Sequence, residues 1–156
     1  MNTQPLFRNA FLPLLTGAAL LFGTAATAQE IPQTQVPAPV LTAFNAAFPK
    51  AMDVEWDLKG TQYNVEFETG LFRNDHEVWY DATGKQIRHE EEVAGSDLPE
   101  AVKATIAKEF AGFSTDDVKR IEADGATTYI VELQNGPTEW KVAYDAAGKQ
   151  LQKQAD

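Results

Sequence analysis

One spelling occurs twice in this chain, and it constrains the fold more than any other feature. Tyr80-Asp-Ala-Thr-Gly-Lys-Gln-Ile87 returns as Tyr144-Asp-Ala-Ala-Gly-Lys-Gln-Leu151, 64 residues on. Upstream, Tyr63-Asn-Val-Glu-Phe67 returns as Tyr129-Ile-Val-Glu-Leu133 at an offset of 66, and Val40, Phe44 and Phe48 return as Val102, Ile106 and Phe110 at 62. Three matches in the same order, at offsets that drift only by loop length, indicate an internal duplication.

Each unit opens on a helix. Val40, Phe44 and Phe48, like Val102, Ile106 and Phe110, fall at i, i+4 and i+8, which puts one apolar stripe along a short helix. Pro37 and Pro39 suit the start of the first helix and Pro49 its end. In the second, Asp97 and Glu100 stand at capping-box spacing around Pro99. At helical spacing such stripes are read as core.

The period then changes to two. Val54, Trp56 and Leu58 alternate with Asp53, Glu55 and Asp57, so the apolar set shares one strand face. Val65 with Phe67, and Val78 with Tyr80, point inward in the next two strands, which leaves Trp79 outward. Gln86–Glu90 offers a fourth strand. In the second unit Tyr129, Val131 and Leu133 point one way, as do Trp140, Val142 and Tyr144. Lys59-Gly60, Asp124-Gly125 and Asn135-Gly136 are hairpin dipeptides. The repeated Asp-Ala-x-Gly suits a type I turn followed by a left-handed glycine, a three-residue hairpin with a G1 bulge. The acidic stretch Glu90–Asp97 reads as the connector. The expected fold class is α+β: two tandem α-β-β-β(-β) repeats, over 37–92 and 97–154, with the helices packed on one face of an antiparallel sheet.

Residues 1–28 carry an address. They hold no acid and one base, Arg8, then an apolar run from Ala10 to Phe22 and small residues up to Ala28. Ala26-Thr27-Ala28 fits a signal-peptidase site, with cleavage before Gln29 and a linker over 29–36. A membrane anchor would need about 20 apolar residues, whereas this run is broken by Pro13 and Gly17. The expected product is periplasmic, with no membrane span after cleavage. The chain carries 23 acids against 13 bases and no cysteine. Nucleic acid is excluded as a partner because no Lys/Arg run exists to neutralise phosphates, and thiol chemistry and thiolate metal sites are excluded with the cysteine.

No phosphate loop, H-E-x-x-H or G-x-S-x-G occurs, so no catalytic residue is assigned and no cofactor is expected. His76 and His89, 13 apart in strand regions, read as solvated or locally hydrogen-bonded, because a metal site needs more ligands. Asp53, Glu55 and Asp57 begin like a calcium loop, but Leu58 occupies the glycine position and Asn64 the closing acid. They remain the candidate metal ligands, and a hydrophilic strand face is the favoured reading. The candidate partner-binding residues are Trp79, Glu66, Glu68, Ile130 and Glu132. A tryptophan on the outer face either anchors a partner or packs on neighbours such as Ile130.

The helix beginning near x-Pro and ending in Phe, the strands Tyr-x-Val-Glu-Phe/Leu, and the closing Tyr-Asp-Ala-x-Gly-Lys-Gln together resemble the PepSY-like group of secreted bacterial proteins, also described as β-lactamase-inhibitor-like. The likeness covers about Val36–Lys153. It implies a helix-plus-antiparallel-sheet repeat, an extracytoplasmic location, and binding or inhibition of a protein instead of catalysis. The lactamase inhibitor itself uses disulfides, which a chain without cysteine cannot form, and no inhibitory residue is carried over. The leading expectation is a non-enzymatic module that binds an extracytoplasmic protein through an open sheet face. The alternative is a ligand or divalent-cation sensor using the acidic strand face.

Overall fold

The computed structural model describes residues 29–71 and 73–155, so the export segment lies outside the described residues. Strand β1 (Gln29–Glu30) leads into helix α1 (Ala38–Ala47), then β2 (Met52–Lys59), β3 (Gln62–Thr69), β4 (Asn74–Tyr80) and β5 (Gln86–Glu92). Helix α2 (Glu100–Glu109) follows, then β6 (Ser114–Ala123), β7 (Ala126–Asn135), β8 (Thr138–Asp145) and β9 (Gln150–Ala155). Every strand pairs antiparallel with its neighbour in sequence, giving one sheet in the order β1 to β9. The class is α+β, as expected.

Two apolar clusters hold it together. Val40 and Phe44 of α1 meet Trp56, Val65, Phe67, Val78 and Tyr80, with the Phe44 ring 5.3 Å from Trp56 and 5.1 Å from Phe67, both edge-on. Val102 and Ile106 of α2 meet Val118, Val131, Leu133, Val142 and Tyr144. Each aliphatic side chain buried this way contributes about 1.5–3 kcal/mol. Residues 29–36, read as a linker, join the first cluster through Ile31 and Val36, while Gln29 and Glu30 pair with Leu58 and Asp57.

The repeated turn takes the expected form. Gly84 N–H donates to the Asp81 carbonyl and Asp81 N–H to the Lys85 carbonyl, each at 3.0 Å, and the same two bonds recur at Asp145, Gly148 and Lys149. Both glycines are left-handed (φ 85° and 81°). A Cβ on Gly84 would stand 2.6 Å from the Pro39 carbonyl oxygen, and one on Gly148 2.4 Å from that of Ala101. Glycine is therefore demanded twice, by backbone conformation and by the helix pressed against the turn.

Four expectations are corrected. Val54 is 37% exposed instead of inward, because the register slips between Met52 and Glu55 with Asp53 at φ 49°, a bulge that turns the side chain out. Glu90–Glu92 belong to β5, paired on both sides, so the connector begins only at Val93. Asp97 and Glu100 form no capping box. Pro99 is the N-cap, without a side-chain cap bond, and Asp97 ends a short 3-10 turn. Trp140 is half-buried, not fully core: it packs against the margin of the second cluster, with the Lys153 ammonium 3.8 Å over its ring in the sheet's last strand pair.

Candidate functional site

Directly opposite residues of a sheet share a face, and the register sets out two acidic rows on the face opposite the core residues. Glu55, Glu66, Glu77 and Glu90 stand abreast on β2, β3, β4 and β5. Beside them Glu68 faces Asp75, and Glu92 faces Lys119. Like charges directly opposite one another are destabilising. A basin of about 410 Å³ opens among these side chains.

The basin's electrostatics follow. Partial burial raises the Glu66 carboxyl above the usual carboxylate range, Glu77 raises it further, and Lys59 opposes them. The Lys59 ammonium donates to Glu77 at 2.8 Å and stands 3.8 Å from Glu66. Glu92 is raised as well, by burial and then by Asp117 and Asp75. Arg73 closes one end, paired with Asp53 and Glu68.

The next row runs Asp57, Asn64, Trp79, Arg88. Trp79 is half-buried on this outer face, with Lys59 Nζ 5.5 Å and Arg88 Cζ 5.3 Å from its ring centre. These cations, and not Ile130, are its neighbours. Ile130 lies three strands away, 8% exposed in a small cluster with Ile121 and Ala143. Asn64, opposite Trp79, is fully buried, and neither side-chain polar atom has a partner among the described residues.

The structure thus brings Glu66, Glu68, Glu55 and Trp79 onto one region of one face. Of the calcium-loop candidates, Asp53, paired with Arg73, and Glu55, facing Glu66, both line the basin, whereas Asp57 faces Asn64 in the next row and does not. Glu132, 66 residues after Glu66, faces Lys141 and pairs with it at 2.7 Å. The position that holds Glu77 in the first half holds this lysine in the second, so the aligned row of glutamates belongs to the first half, where Lys59 contacts Glu66 and Glu77 and Arg88 pairs with Glu90. The second half has its own acidic group in Asp116, Glu132 and Glu139.

On the core face His76 and His89, read from the sequence as separate solvated or locally hydrogen-bonded residues, form one polar group with Thr69. His76 Nδ1 lies 3.1 Å from His89 Nε2, and His76 Nε2 lies 2.7 Å from Thr69 Oγ1. The His76 ring stacks on Phe67 at 5.0 Å, and the Phe48 ring meets His89 edge-on at 5.5 Å. Burial lowers the pKa of both histidines, and for His89 the neighbouring His76 lowers it further. Glu91, opposite His76, is paired with Arg120 of β6. The signal that could have found this group is the turn at Asp81–Lys85, which folds position 76 back onto 89–91.

Among the described residues no helix is long and apolar enough to cross a membrane. The chain matches the family described as "Putative beta-lactamase-inhibitor-like, PepSY-like" over residues 23–72 and again over 61–152. None of the curated proteins matches. Solved structures of similar fold include a BLIP-like protein from Bacteroides fragilis, 22% identical over 80% of this chain and 87% of that one, with a TM-score of 0.63. A DUF2874 family protein from Bacteroides uniformis is 20% identical over 76% and 88%, with a TM-score of 0.66. A Bacteroides eggerthii chain described among "putative periplasmic proteins" is 17% identical over 77% and 88%, with a TM-score of 0.67. At these identities the likeness shows the fold.

Proposed function

This chain belongs to the PepSY-like, beta-lactamase-inhibitor-like family, and from that premise we propose that it is a non-catalytic periplasmic module that binds a basic segment of a protein on the first half of its outer sheet face. In this reading cleavage after Ala28 releases it, and two copies of one unit, each placing its helix on the same face of the sheet, leave the opposite face to a partner. Recurrent irregularities support the two-copy reading: register slips at Met52/Glu55 and Thr115/Val118, and again at Trp79/Tyr80 and Ala143/Tyr144.

The observation that carries the binding reading is the row Glu55–Glu66–Glu77–Glu90. A sheet that needed only a soluble surface would alternate signs across strands, as Glu132 and Lys141 do. Like charges abreast repel, and Lys59 beside Glu66 and Glu77 and Arg88 beside Glu90 offset only part of that repulsion in this reading. A lysine or arginine side chain from a partner would offset the rest through charge-assisted bonds. Trp79, with the Lys59 and Arg88 cations near its ring, offers the aromatic anchor beside the row.

Fluorescence anisotropy with a labelled lysine-rich peptide tests this. Glu66→Gln with Glu77→Gln should weaken binding about tenfold, and Trp79→Ala by a similar factor, whereas Asp116→Asn with Glu139→Gln in the second half should change it little. Equal effects from the two halves would reduce the interaction to net charge and sink the proposal. The aligned row also favours a second reading, a divalent-cation sensor. Calcium that binds saturably and raises the melting temperature at millimolar concentration would favour it.

A further inference from the structure

We propose that His76, His89 and Glu91 form a binding site for a zinc-class divalent cation, on the sheet face that the register sets opposite to the acidic rows. Their ligand atoms all lie within 4.8 Å of one another. Two nitrogens bound to one tetrahedral zinc at about 2.0–2.1 Å stand roughly 3.3 Å apart. His76 Nδ1 and His89 Nε2 stand 3.1 Å apart, so an ion between them asks for a shift of a few tenths of an ångström.

The groups around the cluster are those that orient metal ligands. A ligating histidine donates its other ring N–H to a fixed acceptor, and Thr69 Oγ1 sits 2.7 Å from His76 Nε2 in that role. With Nε2 donating to Thr69, His76 Nδ1 presents its lone pair toward His89. In the free protein the hydrogen between the rings sits on His89 Nε2. Moving it to His89 Nδ1 turns both lone pairs to the ion with no net proton lost. Arg120 donates to Glu91 Oε2, which holds the carboxylate in place and leaves Oε1 for the metal. The aromatic faces of Phe48 and Phe67 wall the histidines.

The donor set selects the ion. Two imidazoles and one carboxylate suit zinc, while calcium takes six or more oxygens. His89 and Glu91 are partly buried, with the Glu91 side chain 19% exposed, so the fourth position of the tetrahedron can be reached by a water molecule.

Calorimetry of the chelator-treated protein with zinc chloride tests this, with cobalt(II) as a spectroscopic probe. The wild type should take up one zinc per chain, melt at higher temperature with zinc present, and give the intense visible absorption of tetrahedral cobalt. His89→Gln and Glu91→Gln should each weaken zinc binding by about tenfold or more and abolish that absorption, while Glu66→Gln on the opposite face should bind as the wild type does. Should His89→Gln fail to fold, Glu91→Gln, a near-isosteric change at a partly exposed position, decides alone. Zinc binding that is absent, that survives Glu91→Gln, or that is lost in Glu66→Gln would overturn the site. None of these results bears on the peptide binding proposed above.

Discussion

Tyr80 and Tyr144 occupy the same place in the two copies of the repeated spelling, and both are buried with hydroxyls that have no partner among the described residues. Burial pushes each phenol up to about 12, with Glu109 adding to the effect at Tyr144. A buried hydroxyl without a partner costs about 1–3 kcal/mol, so Tyr80→Phe should leave stability unchanged or raise it by up to about 1 kcal/mol. Urea unfolding measures this, and a loss above about 1 kcal/mol would mean the hydroxyl has a partner. Glu66 makes the second residue-scale case. Its carboxyl binds a proton more tightly folded than unfolded, so its protonation favours folding at low pH, and that contribution is lost as pH rises through the raised folded pKa. Glu66→Gln removes the loss. At pH 7 the variant should be more stable than wild type by about 0.5 kcal/mol or less, since solvent screens this exposed row. The difference should close as pH falls toward 4. A variant less stable at pH 7 would mean that the Lys59 contact outweighs the row.

At the scale of elements, the sequence made both hairpin turns legible down to their G1 bulges, because turn geometry is local and only glycine takes that conformation cheaply. It left unread that each turn is pressed against the first turn of its own helix, which is a tertiary fact. Gly148→Ala measures the unread part. A left-handed alanine costs about 1–2 kcal/mol, and here its Cβ would also meet the Ala101 carbonyl oxygen at 2.4 Å, whereas a Cβ on Gly125 (φ 74°) meets nothing within 4 Å. Gly148→Ala should therefore destabilise by at least about 1 kcal/mol more than Gly125→Ala in paired denaturant titrations. Equal losses would show the helix yielding. Val54 illustrates the opposite failure. Its alternation with Asp53 and Glu55 is regular on paper, but period-two reasoning cannot see a bulge that inserts a residue, and so it turned Val54 to the wrong face.

For the whole molecule, the residues of the candidate site were in plain sight, and their arrangement was not. Residues 37–92 hold eleven acids and five bases, and residues 97–154 ten and seven. Composition separates the halves only slightly. Register separates them decisively, because it sets Glu66 against Glu77 in one half and Glu132 against Lys141 in the other. The same information gap hid the histidine pair, whose members are remote in sequence and diagonal neighbours across β4 and β5. If the asymmetry governs encounters, the field that a cation feels should come from the first half. Steering of this kind acts over about 8–10 Å at ordinary salt and falls as ionic strength rises. Stopped-flow association with a lysine-rich peptide should slow about tenfold between 20 mM and 200 mM salt, within the range that steered encounters span. Glu66→Gln with Glu77→Gln should flatten that dependence, while the same number of neutralisations at Asp116 and Glu139 should leave most of it. A salt dependence that drops equally for both pairs would place the field in the net charge of the whole chain, and the four-glutamate row would then be only one contributor among many.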